Sequence, residues 1–389
     1  MNKNLKIILL LTFGQAGPVV LAPAFFVMSK YFNEPVDSIK YVVTLFFLGF
    51  ALGQLLYGPV AGRFGRRPTF KFGIALSLFG TALSLLASYT HSFSLLLVGR
   101  FIEGLGASAA IVMGFTVISD LYTENQAKKL IGLSMLSFAL TPAIATLLGG
   151  VFVEHFSWQI SLWVLLAYGV FVYWYIDDLP ATAKRLDKAP WSLKKICLSY
   201  LEVCKDKILL ICSCLYGLSN AGIYVFTTEG PSLGQNALHI SPSEYSSYAG
   251  STFIGTLAGS ALTVFLVKYL STQKTILCTY LAEACAAIVM TYCFYSGFIN
   301  IFSVFLPIVL WFVSNAILVS NATGLATQKA NDKADASAVM SFLNNFVAVL
   351  TIVALTIFGA GGSIYILPVG LLVLTGFAGV MVAGLLKLS

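Results

Sequence analysis

Apolar runs of about twenty residues recur along the whole of this chain, and few charges interrupt them. A run of that length reads as a membrane span, not as a buried core helix. Charged residues make up 10% of the chain and hydrophobic residues 58%. A soluble domain has roughly 25% charged residues, so this polar surface could not cover a water-soluble fold. Within lipid every backbone polar group must be paired inside the fold, which leaves helices or a closed barrel. The runs are continuous and do not alternate with period two, which argues against a barrel. The chain therefore reads as an all-α membrane protein.

About twelve spans are expected, each near the ~20 residues a bilayer demands. They cover 6–28, 41–61, 69–88, 93–119, 130–153, 159–176, 207–228, 244–267, 275–295, 300–322, 337–358 and 364–386. The first run, with small residues at "LAPA", has some features of a signal peptide. Its length and the spans behind it mark it as a retained helix.

Orientation follows from the cations. With both termini inside, 20 of the 23 Lys and Arg residues fall on the cytoplasmic side. Lys30 and Lys40 fall outside, and Arg100 lies within a span. The positive-inside rule selects this topology. The net charge of +7 is thus a topology signal and no argument for nucleic acid binding. The expected location is the cell inner membrane. A reporter fused within 184–195 is expected to be cytoplasmic; a periplasmic signal there would overturn the orientation.

The seven cysteines form no CxxC pair, and the three histidines are scattered. Reduced packing cysteines are expected, with no metal and no cofactor. No nucleophile–base pair stands at the span ends, so an enzyme is not expected.

Residues 177–206 are the longest polar segment, with six Lys and Arg. They divide the chain into six spans over 1–176, a cytoplasmic linker over 177–206 and six spans over 207–389. Two six-helix bundles on a basic connector are the plan of a transporter that rocks around a midplane site. The stretch near Trp191 reads either as an amphipathic surface segment or as a solvated linker.

After the second span comes "GPVAGRFGRRP", Gly58 to Pro68. Small residues there let helix ends approach, and three arginines crowd the turn. It resembles the loop signature of the major facilitator superfamily, G-x-x-x-D-R-x-G-R-[RK]. Gly58, Arg63, Gly65, Arg66 and Arg67 match, and Gly62 replaces the aspartate. In that family the aspartate caps a helix of the other half and helps close the cytoplasmic gate. Here the arginines are expected to pair with Asp120 at the inner end of span four. Simple positive-inside anchoring is the bland alternative.

The fifth span holds "TPAIATLLGG", with Pro142, Gly149 and Gly150. Pro bends a membrane helix, and small residues permit tight helix contact. The run resembles the antiporter signature of the same superfamily, and most nearly that of the bicyclomycin-resistance branch of drug:proton antiporters. Thr146 stands where that branch has a second proline. "FSWQISLWVLLAYG" resembles the branch's entry into span six, with Gln159 where Arg is common. "EGPSLGQNALHISPSEYSSYAGSTFIGTLAGS" resembles its loop between spans seven and eight.

Inside span four lies "GRFIEGLGASAA". It resembles the superfamily's R-x-x-Q-G, with Arg100 and Gly104 matching and Glu103 in the Gln position. A charge at mid-membrane costs ~2.5–3.5 kcal/mol on insertion scales, so these side chains should face the bundle interior or a wet cavity. Positions 100, 103, 104 and 107 share a helix face. One reading is an ion pair that only welds helices. The other, in the manner of the family, makes Glu103 a proton-exchanging group tuned by Arg100. Burial and a guanidinium act on a carboxyl in opposite senses, which can poise it for exchange.

Drug antiporters of this branch usually carry an acid in span one. Here that position is Val19, with Pro23 and Ala24 retained and Gln15 the strongly polar neighbour. Glu103 and Glu283 are then the carboxylates expected well inside spans, with a hydrogen-bonded structural role favoured for Glu283. Asn220, Tyr224, Asn315, Asn344 and Asn345 are candidates for a cavity wall or for interhelical bonding.

These features together point to proton-coupled export of small amphipathic compounds by a monomer. The partners are a small-molecule substrate, protons and the lipid bilayer, without nucleic acid. Two rivals stay open: uptake or export of an anionic solute, such as a carboxylate metabolite or siderophore, held by Arg100; and a membrane receptor that no longer transports.

Overall fold

The computed structural model of the chain describes residues 3–176, 193–266, 268–328, 333–358 and 363–387. The described residues form two compact helical units, 1–193 and 194–389. Among the described residues, nine helices are long and apolar enough to cross a membrane, and three shorter apolar ones, Asn4–Ala16, Leu140–His155 and Gln159–Tyr175, accompany them. This is a multi-pass membrane protein.

The first unit contains α1 (Lys3–Ala16), α2 (Phe25–Phe32), α3 (Val36–Ile39), α4 (Tyr41–Phe64), α5 (Arg66–Thr90), α6 (Phe93–Leu121), α7 (Glu124–His155) and α8 (Gln159–Tyr175). Local chemistry sets their ends. Ser92 caps α6 by accepting from Leu95 N at 3.3 Å, which satisfies a donor that the first turn leaves open. Thr123 and Gln126 form a capping box on α7. Gly65 turns the chain between α4 and α5 at φ +92°, where a side chain would be strained.

Helix α6 is the hub, packed on α5, α4 and α1. The contacts are made backbone to backbone. A Cβ on Gly49 of α4 would lie 2.2 Å from the Phe101 carbonyl, and one on Gly104 would lie 2.0 Å from the Phe46 carbonyl. On the other side, a Cβ on Gly80 would lie 2.3 Å from Glu103 N. In lipid, where hydrophobicity does not drive helices together, such small-residue seams supply the packing.

The first span departs from the continuous helix expected over 6–28. It breaks after Ala16 and resumes through a short 3-10 turn, Ala22–Ala24, into α2. Pro18 and Pro23 have no N–H to offer, and their rings clash with the preceding turn. The Val19 carbonyl is taken instead by Ala22 N at 3.1 Å.

The second unit contains α9 (Leu193–Val203), α10 (Lys207–Asn236), α11 (Pro242–Gly250), α12 (Thr252–Leu266), α13 (Thr272–Tyr295), α14 (Ile301–Gln328), α15 (Lys333–Phe358) and α16 (Ile366–Lys387). Asp206 caps α10 by accepting from Ile208 N at 2.8 Å and Leu209 N at 3.2 Å. Helix α10 packs on α14, α15 and α16. It also corrects the seventh span, which was expected to end at 228 with Glu229 already in a loop. The helix continues through Pro231 to Asn236. Tyr245 of α11 lies against that last stretch; a Cβ on Gly230 would come 2.3 Å from its hydroxyl. Packing here outweighs the turn signal of Gly and Pro. Within the polar connector, 177–192 including Trp191 lies outside the described residues, and α9 is a helix whose Tyr200 and Val203 pack on the inner cluster of the unit.

Candidate functional site

Arg100 and Glu103 lie one turn apart on α6, 0% and 3% exposed. Arg100 Nη1 donates to Glu103 Oε2 at 2.7 Å. Its Nη2 donates to the Gly17 carbonyl at 2.7 Å, and its Nε to the Val42 carbonyl at 3.3 Å. Phe46 covers the guanidinium, 4.7 Å from ring centre to Cζ, a cation–π contact strengthened by burial. Gly17 sits at the break in the first span, so its carbonyl lacks a continuing helix to bond. The arginine satisfies it. Thr81 of α5 lies beside Glu103, and its Oγ1 donates to the Ser77 carbonyl at 3.0 Å. A Cβ on Gly17 would sit 3.1 Å from Glu103 Oε1. The pair therefore holds α6, α4, α5 and the broken first span at one point.

The fifth span grips the same break. A Cβ on Gly149 of α7 would lie 2.2 Å from the Val20 carbonyl. Gly150 is buried beside it and Pro142 is half-buried on the same helix. Gln15, half-buried on the last turn of α1, makes no bond to Arg100 or Glu103.

At the other end of the unit, Arg66 Nε donates to Asp120 Oδ2 at 3.1 Å and its Nη1 to the Ala61 carbonyl at 3.1 Å. Arg63 is exposed and Arg67 half-buried, and both make further contacts. Gly58 is exposed, with open space around it.

In the second unit, Glu283 of α13 is 1% exposed and bonds Ser219 of α10. Asn315 Nδ2 of α14 donates to the Ser219 hydroxyl at 3.0 Å, and Trp311 Nε1 donates to the Ser219 carbonyl at 2.8 Å. Tyr224 donates to Asn345 Oδ1 at 2.8 Å and also bonds Asn220. Asn344 bonds Tyr216 and keeps a buried Oδ1 without a partner. The asparagines thus fall into separate small networks.

A family model, the Major Facilitator Superfamily, matches residues 7–352. The chain belongs to that superfamily. A bicyclomycin resistance protein homolog of Haemophilus influenzae is 26% identical over 215 residues, 55% of this chain and 53% of the relative. Multidrug resistance protein D of Escherichia coli K12 is 28% identical over 165 residues, 42% and 41% of the two chains. The matches thus span about half the length of these relatives or less. Among solved structures, a D-xylose-proton symporter superposes with TM-score 0.76 at 16% identity, covering 96% of each chain. A nucleoside transporter follows at 0.75 and 12%, covering 99% of each. At that identity the likeness is one of fold. Relatives and neighbours carry transporter and resistance names, and the chain is grouped with transporters, not enzymes.

Within this superfamily chain, the loop-motif departure at Gly62 stands in open space, with nothing within 4 Å of a Cβ built there. Sterics therefore do not explain the missing aspartate. The Arg66–Asp120 pair is partly exposed, 21% and 20%, so it is worth roughly 0–1 kcal/mol. Arg66→Ala is expected to slow turnover by about fivefold, the equivalent of ~1 kcal/mol. Substrate affinity should be nearly unchanged. Equal losses in both would count against a gating role for Arg66.

Thr81, Gly17, Ser219 and Glu229 escaped the sequence reading. Thr81 and Ser219 are ordinary helix hydroxyls until the facing helix is known. The break at Gly17 had a visible signal in Pro18 and Pro23.

Proposed function

We propose that the protein is a proton-coupled exporter of small amphipathic compounds, working by alternating access. The observation that carries this reading is the fully enclosed Arg100–Glu103 pair hung on the break of the first span. Glu103 exchanges the proton. While it is ionised, Arg100 Nη1 is held to it; once it is protonated, that hold weakens. The guanidinium then rests on the Gly17 and Val42 carbonyls alone. The charge state of one carboxyl is thereby passed to the discontinuity of the first span, where a helix can bend at little cost. The resistance names of the relatives support export as the direction, and the antiporter-like fifth span supports proton exchange.

An anionic solute held by Arg100 fits less well. Three of its donors are already committed to protein oxygens, and an aromatic ring covers one face. In this reading the chain works as a monomer in a bacterial inner membrane with both termini cytoplasmic. The halves are 1–176 and 207–389, joined by the cytoplasmic linker 177–206. Arg66, Asp120 and the glycines of the two motifs serve the gate. Tyr224, Asn220, Gln15 and Glu283 supply further polar substrate or proton contacts.

Transport into inverted vesicles, with a panel of cationic and anionic compounds and an imposed pH gradient, tests the proposal. Gradient-driven uptake of amphipathic compounds is the expected result. Uptake of anions alone would replace it with the anion reading. No transport of any compound would favour a receptor.

A further inference from the structure

Helix α9 has two faces of different kinds. On one side Tyr200, Val203 and Cys204 pack on the cluster that holds Leu209, Ala336 and Leu385. Ser199 on the same side donates to Asp335 Oδ2 in the first turn of α15. Leu209 and Ala336 lie in the first turns of α10 and α15, and Leu385 lies in the last turn of α16. The helix is therefore docked where the apolar helices of its unit begin and end, at the level of a bilayer surface.

The opposite side carries Lys194, Cys197, Leu198 and Leu201, at the i, i+3, i+4, i+7 spacing of a single face. Lys205 follows in the turn that closes the helix, its N–H bonding the Glu202 carbonyl at 3.1 Å. Leu198 is 54% and Leu201 61% exposed, and Lys194, Lys205 and Lys207 are exposed around them. Among the described residues these lysines enter no ion pair. Over 193–207 the chain has four lysines against two acids, and one of the acids, Asp206, is committed to the α10 cap. A second feature marks the same end of the unit. Tyr269, just before α13, is exposed with its ring 4.8 Å from that of Phe265, and Lys268 beside it is exposed too. Helix α13 then enters the same cluster through Ile276. Aromatic rings and lysines together are the side chains of a headgroup layer.

We propose that the outward face of α9 lies on the bilayer and binds the headgroups of anionic lipids through Lys194 and Lys205. Leu198 and Leu201 then reach the acyl boundary, the division of labour of an interfacial amphipathic helix. The excess of unpaired lysines selects an anionic surface, because each cation near such a surface gains from its potential. Bound lipid would fix the end of the polar connector against α15, through Ser199 and Asp335, and against the start of α10. The inference rests on the membrane-spanning fold alone and stands or falls separately from the export reading.

Two measurements on the full chain test it. In the first, Leu201→Cys carries a bimane label in a chain whose seven natural cysteines are replaced by alanine, in nanodiscs of equal phosphatidylglycerol and phosphatidylcholine. Lipid-borne nitroxides should quench the label, and iodide in the water should not. Free quenching by iodide would turn the face to solvent and overturn the proposal. Protection from both quenchers would also overturn it, since protein would then cover the face; energy transfer between two labelled chains would name a second copy as the cover. The second measurement needs no cysteine-free chain. Phosphatidylglycerol is titrated onto the purified protein and its binding is followed by native mass spectrometry. The joint change Lys194→Gln, Lys205→Gln should weaken the tightest phosphatidylglycerol binding at least about fivefold, the equivalent of ~1 kcal/mol for a lysine near an anionic surface. Phosphatidylcholine binding should not change, and Lys30→Gln, an exposed lysine of the first unit, should have no effect on either lipid. Phosphatidylglycerol binding that is indifferent to the joint change, or that falls equally with Lys30→Gln, would overturn the proposal.

Discussion

Glu103→Gln is expected to abolish proton-coupled movement while leaving substrate binding and exchange partly intact. Glutamine keeps the shape of the side chain, so its carbonyl can still accept from Arg100 Nη1 where Glu103 Oε2 does at 2.7 Å. What it loses is titration. In vesicles, substrate flux driven by a pH gradient should fall to the uncoupled background, and the pH dependence of the remaining exchange should flatten. The substitution also places the superfamily's commoner residue at that position, so folding should survive. Transport with unchanged pH dependence would put the coupling site elsewhere. Glu283 would be the next carboxyl to examine, since it is buried against Ser219.

Arg100→Ala is expected to be the most destabilising single change in the first unit, by ~3–5 kcal/mol. It strands Glu103 buried without its cationic partner and removes the donors to the Gly17 and Val42 carbonyls. Thermal unfolding in detergent would read this as a large loss of folded protein. The double variant Arg100→Met, Glu103→Leu removes both charges and refills the space. Replacing a whole buried pair by apolar groups is often near neutral. Recovery should be partial, because the two carbonyls still lack a donor, and transport should not return. Arg100→Lys keeps the charge but cannot bond three oxygens through a planar fork, so it should fold better than the alanine variant and still be impaired. If the double variant recovers both stability and coupled transport, the pair is structural and couples nothing.

Much of the molecule was legible in advance because the bilayer leaves so few options. Span lengths and the helical class, with no strand among the described residues, follow from hydrophobic thickness and from backbone pairing in lipid. The pairing of Arg66 with Asp120 was also foreseeable, since two complementary charges stood at the same expected membrane face. Arg100 with Glu103 was plainer still: two charges one turn apart in lipid must meet.

The rest depended on which helix faces which. Composition could not say that Gly17 and Val42 would accept from Arg100, because carbonyl partners are chosen by packing and every residue has a carbonyl. The seams at Gly49, Gly80 and Gly104 needed the same knowledge, since a glycine reads alike in a close contact and in open space such as that around Gly62. Glu229 shows the limit most clearly. Its neighbours Gly230 and Pro231 signal a turn, yet Tyr245 packs across them and the helix runs on. From the residues alone one could derive a twelve-span membrane protein with a charged pair in its fourth span. Only the packing of helix on helix decided what that pair holds and where a further buried carboxyl lies, because local preferences of about 1 kcal/mol yield to tertiary contacts that bury whole side chains.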